Sequence, residues 1–236
     1  MIPAIKILLC YALLAPWAAL IGFPWTLITG DVSLLYRMAM RIAAAGVRWA
    51  GIRVRIQGLD QVPEGQPCIF MANHVSNLDP PVLLPLIPGR TAVLVKKELM
   101  KVPLIGTGMR MGNFVPVERN QKRETAIESI RLASEVLASG VHITIFPEGT
   151  RSRTGHLLPF KKGPFYLAQQ TGAPIVPVSI HGTEGMMRKG SLRILPGDAH
   201  VTFHAPILAR EYTTREELMA IVRNKIADGL PEWMRG

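Results

Sequence analysis

Cysteine is almost missing from this chain. The two present, Cys10 and Cys68, form neither a metal-ligand spacing nor a disulfide framework, which excludes small zinc modules and disulfide-stapled folds. Each lies in an apolar stretch and reads as a small buried hydrophobe, which suits a reducing compartment. Nucleotide signatures are missing too: there is no Walker phosphate loop and no dinucleotide glycine fingerprint. No G-x-S-x-G elbow occurs, so a serine hydrolase would lack its usual nucleophile. The histidines show no metal-ligand clustering. Acidic residues are scarce, 17 against 27 Lys and Arg, and the net charge is +10. That balance suits an anionic partner: nucleic acid, a membrane surface or a phosphorylated substrate. Charge alone is the case for nucleic acid, because no basic–aromatic interleaving and no recognised module accompany it.

What is present begins with length and apolarity. A chain of 236 residues supports one substantial core. Hydrophobic residues make up 48 % and mean hydropathy is positive at +0.23, both high for a cytosolic protein. From Ile7 to Ile28 no residue is charged. A straight helix of that length would run about 33 Å, close to a bilayer's hydrocarbon thickness. Pro16, Gly22 and Pro24 interrupt it, so a kinked, shallow or re-entrant anchor stands beside a clean span. A cleaved signal peptide fits poorly, since only Lys6 supplies a basic leader. In the next segment Arg37, Arg41 and Arg48 fall within about 40° of one another on a helical projection. They form a solvated face on a core helix or, after so apolar a run, the lipid-phosphate face of an interfacial helix. Residues 1–50 are expected to be membrane-anchoring helices and residues 51–236 an α/β domain.

Within that domain, IRVRI (52–56) alternates and reads as a half-buried strand, and CIFMA (68–72) as a fully buried one. A helix is expected over 77–87, a strand at TAVLV (91–95), and a helical turn or two from Glu98. NFVPV (113–117) is expected to be an edge or bulged strand because of Pro116. The clearest helix is Thr125–Ser139, with Asn120 as a candidate cap and Gly140 as its stop. Strands follow at VHITIF (141–146), PIVPVSI (174–180) and HVTFHAP (200–206). A short helix is expected through Tyr166 to Gln170, a longer one over 214–229, and His181 as a loop residue. Alternating strands and helices, with some strands in direct succession, imply an α/β fold with a mixed, mostly parallel central sheet flanked by helices.

Chemistry concentrates where these strands end. NHVSNLDP (73–80) places His74 five residues before Asp79. Either this is a capped helix start that happens to hold a histidine, or Asp79 folds back onto one ring nitrogen and leaves the other to take a proton from an alcohol. IFPEGTRS (145–152) ends a buried strand in a tight loop whose Arg151, loop amides and Thr150 hydroxyl could hold a phosphate. A solvated turn is the alternative. GNFVPVER (112–119) delivers Arg119 in the same way, and TAVLV delivers Lys96 and Lys97. In open α/β sheets, ligands gather at the carboxyl ends of strands.

Together NHVSNLDPP, GNFVPVER, FPEGTRS and IVPVSI, in this order over residues 73–180, resemble the glycerolipid acyltransferase family, and within it the bacterial 1-acylglycerol-3-phosphate acyltransferases. The resemblance implies that His74 is the general base and Asp79 its orienting partner. It implies an acyl-acceptor site of Arg119, Glu148, Gly149, Thr150 and Arg151, to which the strand-end pattern adds Lys96 or Lys97 as a further cation. It implies no metal and no cofactor, with an acyl thioester of coenzyme A or of acyl carrier protein as co-substrate. The expected product is phosphatidic acid, made from lysophosphatidic acid at the cytoplasmic face of a bacterial inner membrane. Another lyso-lipid or glycerol phosphate as acceptor would use the same motifs. A non-catalytic protein that binds anionic lipid would share the basic, apolar N-terminus.

Overall fold

The computed structural model describes residues 2–117, 123–187, 191 and 193–236. Seven strands, β1 (Ile52–Gln57), β2 (Ile69–Ala72), β3 (Thr91–Lys96), β4 (Val115–Val117), β5 (His142–Ile145), β6 (Ile175–His181) and β7 (Gly197–Phe203), form one sheet in the order β1-β7-β6-β2-β5-β3-β4. Every neighbouring pair is parallel except β6 with β7. The expected mixed, mostly parallel sheet is therefore the observed one.

Burial explains the order. β2 and β6 lie near the centre, and nearly every residue in them is buried. A strand covered on both faces reads as a continuous apolar run. β1 and β4 are the edges. Ile56 in β1 is 43 % exposed, so the alternation of IRVRI fades on an edge that only β7 pairs. β4 is shorter than NFVPV, because Asn113 has φ 61 and turns the chain before Val115. Pro116 sits on the edge, as its missing N–H requires. Pro177 is the exception in a central strand. Ile175 exchanges both backbone hydrogen bonds with Ile207, and the β6–β7 ladder starts only at Val178. The proline thus falls in a gap of that ladder, where an N–H has no partner to lose.

One sheet face is covered by α6 (Arg123–Ala138), α7 (Gly163–Thr171) and α9 (Arg215–Asp228) around Phe165, Leu218 and Val222. The other is covered by α3 (Ser33–Trp49) and α4 (Asp79–Leu83) around Phe70, Leu83 and Val178. α9 begins with Thr214 accepting from the Glu217 amide at 3.2 Å, while the Glu217 carboxylate accepts from the Thr213 amide. Such reciprocal caps satisfy donors that a helix start leaves unpaired. Two expectations change here. The strand expected over 200–206 runs Gly197–Phe203, and His181 closes β6 instead of lying in a loop. Its ring stacks on His200 of β7 at 4.4 Å. Pairing with β7 extends β6 by that residue, a tertiary effect that local polarity hides. Asn120, the candidate cap of α6, lies outside the described residues.

The N-terminal segment forms α1 (Ile2–Trp17), a π-helical turn (Ala18–Gly22) and α2 (Phe23–Thr29) without a break. The expected interruption by Pro16, Gly22 and Pro24 is taken up in that widened turn. This 28-residue helix is long and apolar enough to cross a membrane. It folds back along α3. A Cβ on Gly46 would lie 2.6 Å from the Tyr11 ring, and one on Gly22 2.8 Å from Leu35. α3 and its capping residue in turn give Val47 and Ala50 to the core of the body. Helices and body therefore share one apolar seam at the 50/51 junction.

Gly182 joins β6 to α8 (Thr183–Met186) with φ 92, and a Cβ there would lie 2.3 Å from the Asp198 carbonyl oxygen. Gly182→Ala is expected to cost about 2 kcal/mol or more, with a matching loss of activity because the next residue reaches the site. Denaturant unfolding beside an activity assay checks this.

Candidate active site

The site is assembled where β2, β5 and β6, neighbours in space, all end. β2 delivers His74. Asp79 starts α4 and turns back, so that its Oδ2 lies 2.7 Å from His74 Nδ1. The same oxygen accepts the amides of Val75 and Ser76 at 2.7 and 2.8 Å. Oδ1 accepts the Thr183 hydroxyl at 2.6 Å. Asp79 and Thr183 are fully buried. Four donors on two oxygens suit a carboxylate, which can only accept. An imidazole donating through Nδ1 has Nε2 as an acceptor, the state a general base requires.

The loop after β5 ties itself to His74 in three ways. The Phe146 ring stacks on the imidazole at 4.1 Å between centroids. Glu148 Oε1 accepts the His74 amide at 2.7 Å. The Ser152 amide donates to the His74 carbonyl at 2.8 Å. Glu148 Oε2 accepts from the Leu158 amide at 3.1 Å, so both carboxylate oxygens face backbone. Only 2 % of Glu148 is exposed. Its geometry is that of a brace, whereas the resemblance implies a contact to the acceptor. Burial first, and the Asp79 charge to a lesser degree, raise its pKa to about 7 against the pull of the two amides.

Gly149 turns the loop with φ 70, its amide donating to Phe146 O at 2.9 Å. Thr150 and Arg151 are half-buried and follow directly. The Ser152 amide, bonded to the His74 carbonyl, ties the end of this loop to the His74 backbone. Lys96 and Lys97 are exposed at the carboxyl end of β3, one strand beyond β5, and Lys96 Nζ lies 3.4 Å from Glu98. Arg119 lies outside the described residues.

Two further participants, Thr183 and Asn73, escaped the reading of the sequence, while Ser76 figured there only as part of a capped helix start. Thr183 reaches Asp79 from 104 positions away. Asn73 bonds both backbone groups of Ile180, donating at 2.8 Å and accepting at 2.7 Å, and so fastens β2 to β6. Ser76 Oγ donates to Met187 O at 2.9 Å. The signal for Thr183 was the strand-end rule itself, applied to IHGT as it was to IFPEGT. Asn73 gives none, because its partners are backbone atoms elsewhere, and the capping spacing of Ser76 with Asp79 foretells its amide contact to that carboxylate but not the reach of its hydroxyl to Met187.

A histidine braced by a buried carboxylate, at a sheet edge carrying cations, is an arrangement able to draw a proton from a hydroxyl. Comparison with known proteins agrees. The family model described as Acyltransferase matches residues 53–181. A chloroplastic 1-acyl-sn-glycerol-3-phosphate acyltransferase (BAT2) of Brassica napus is 35 % identical over 94 % of this chain and 66 % of its own length. A 1-acyl-sn-glycerol-3-phosphate acyltransferase of Limnanthes douglasii is 33 % identical over 88 % of this chain and 75 % of its own. The chain spans only 54 % of a Cocos nucifera relative of the same name. The crystal structure of PlsC, the 1-acyl-sn-glycerophosphate acyltransferase of Thermotoga maritima, superposes with TM-score 0.79 at 28 % identity, covering 94 % of this chain and 92 % of that one. The chain belongs to the acyltransferase family, in the branch of the 1-acyl-sn-glycerol-3-phosphate acyltransferases.

Two measurements probe the assembly. With its folded pKa at about 7 and an unfolded value near 4.5, Glu148 keeps its proton in the folded state where the unfolded chain has lost it. The Glu148 contribution to stability is thus fully present below about pH 4.5 and is lost as pH rises toward 7, by up to about 1.4 kcal/mol per pH unit. Glu148→Gln should flatten that slope in denaturant titrations across the window. Thr183→Val should lower stability by about 1–3 kcal/mol by leaving Asp79 short of a donor, and should lower kcat more than it changes KM.

Proposed function

We propose that this enzyme transfers a fatty acyl group from a thioester to the free sn-2 hydroxyl of 1-acylglycerol-3-phosphate. The single observation that carries the proposal is the 2.7 Å contact between His74 Nδ1 and Asp79 Oδ2, with three more donors locking the carboxylate. In this mechanism the acceptor's phosphate is held by Arg151 and Arg119, with Lys96 or Lys97 as a further cation. Gly149 and Thr150 shape that loop. Glu148 works from behind, as the brace of the His74 backbone. His74 Nε2 takes the hydroxyl proton as the oxygen attacks the thioester carbonyl. Asp79 holds the tautomer and stabilises the imidazolium. The C–S bond breaks, the thiolate takes the proton back from His74, and no covalent acyl-enzyme forms. Proton transfer by a positioned base supplies typically about 10²–10⁴-fold, and positioning with oxyanion stabilisation supplies the rest.

The donor is an acyl thioester of coenzyme A or acyl carrier protein. Residues 1–50 anchor the enzyme to the cytoplasmic membrane of a bacterium, with the α/β domain of residues 51–236 on the cytoplasmic side. The exposed apolar face of α1 and α2 and the exposed Arg37, Arg41 and Arg48 support that placement. A lysophospholipid and its diacyl product both reside in lipid, and the thioester arrives from water. The relatives' shared name favours the lysophosphatidate acceptor over glycerol phosphate or another lyso-lipid.

The test is thiol release with both donors against a panel of lyso-acceptors. His74→Ala, with folding verified, is expected to lose at least about 10²-fold in kcat. Arg151→Ala is expected to raise the KM for acceptors bearing a phosphate about tenfold or more. Near wild-type turnover by the His74 variant would refute the mechanism.

A further inference from the structure

From the end of β3 to the first residue of α5 (Ile105–Met111) four apolar side chains stand in solvent: Leu99 is 47 % exposed, Val102 41 %, Leu104 64 % and Ile105 59 %. The backbone is strained to hold one of them there. Leu104 has φ 61 and ψ −56, and the Ile105 amide donates to Pro103 O at 2.7 Å. Together these make the rare, strained form of the three-residue γ-turn. A conformation of this kind persists only where its surroundings over-determine it. Here Gly106 runs so close beneath Met100 that a Cβ would meet its carbonyl oxygen at 2.0 Å. Arg110 clamps the same oxygen through Nη1 at 2.7 Å, and its Nη2 bonds Thr107 Oγ1 at 2.9 Å. The segment is a fixed knuckle. Water gives no return for a strained turn that lifts a leucine out of the protein, whereas lipid does.

The neighbours of the knuckle point to the same partner. A Cβ on Gly108 would lie 3.7 Å from the Phe23 ring, and Met111 packs into the cluster of Ala18, Val32 and Leu35. α5 therefore abuts the N-terminal helices, whose Leu13, Trp17, Leu20 and Trp25 are themselves exposed. Lys96, Lys97, Lys101 and Arg110 are all exposed along this segment, with one carboxylate, Glu98, among them. That balance complements anionic headgroups. The knuckle also leaves β3 at its carboxyl end, the sheet edge that carries His74.

We propose that Leu99 to Ile105 form a second membrane contact. It inserts at the headgroup boundary of an anionic bilayer and holds the active-site edge of the sheet against the surface from which a lyso-lipid enters. The proposal rests on the membrane anchoring proposed for residues 1–50, and extends it from a tether to a fixed orientation.

The test uses the full chain with one fluorophore-bearing cysteine at a time, since Cys10 and Cys68 are buried. Leu104→Cys reports on the knuckle and Leu13→Cys on the N-terminal helix. Ser139→Cys reports on the exposed end of α6, at the opposite sheet edge. On vesicles of phosphatidylcholine and phosphatidylglycerol, the probes at 104 and 13 should shift to the blue and lose quenching by iodide, while the probe at 139 should do neither. A lipid-like signal at 13 with a water-like one at 104 would sink the second contact and leave the anchor standing. Water-like signals at both would sink the anchor as well. Leu104→Gly relieves the positive φ, so the detergent-purified variant should melt no lower than wild type. A lower Tm would mean that the turn serves internal packing, and would overturn the proposal.

Discussion

The buried carboxylate of Asp79 is the constraint on which the rest of the site depends. It has no contact with water, so each of its lone pairs has to be met from within the protein. Two backbone amides, one ring nitrogen and one hydroxyl meet them. Three of those donors come from its own loop and one from beyond β6. The same atoms that satisfy the carboxylate thus set the direction of the imidazole and bind two distant loops together. Removing any donor would leave part of a buried anion uncompensated, which is why the catalytic geometry and the stability of this edge of the sheet are one property.

A second carboxylate, Glu148, does for the backbone of His74 what Asp79 does for its ring. The two sit close enough for the Asp79 charge to raise the Glu148 pKa, yet they are met by different donors. Asp79 has four. Glu148 has two amides in a dry setting, where burial outweighs them and its pKa rises to about 7. Phe146 closes the imidazole from one side. His74 is held by ring, amide and carbonyl at once, which leaves Nε2 as the ring nitrogen outside these contacts.

The apolar surface and the basic charge belong to one design. In the proposed reaction a soluble donor and a lipid acceptor would meet at a boundary, and the long apolar helix flanked by arginines and lysines would face lipid there. A knuckle at the carboxyl edge of the sheet would turn the site toward the bilayer instead of merely keeping it nearby. Membrane binding would then contribute to orientation, and orientation is a large share of what an acyl transferase without a covalent intermediate can supply.

Much of this was legible in the residues alone. Continuous apolar runs marked β2, β5 and β6, because central parallel strands are covered on both faces and tolerate little else. Turn chemistry and periodicity marked α6 and α9, and the run from Ile7 marked the N-terminal helix. The spacing of His74 and Asp79 could be read because both partners sit in one short loop, whose reach is set by local backbone geometry. Strand order, the antiparallel turn of β7, the place of His181 in β6, the Thr183 hydroxyl on Asp79 and the duty of Glu148 were decided by tertiary structure. Each depends on a hydrogen bond between groups far apart in sequence, often to a backbone atom that every residue possesses, and such a bond leaves no mark on the identity of its partner.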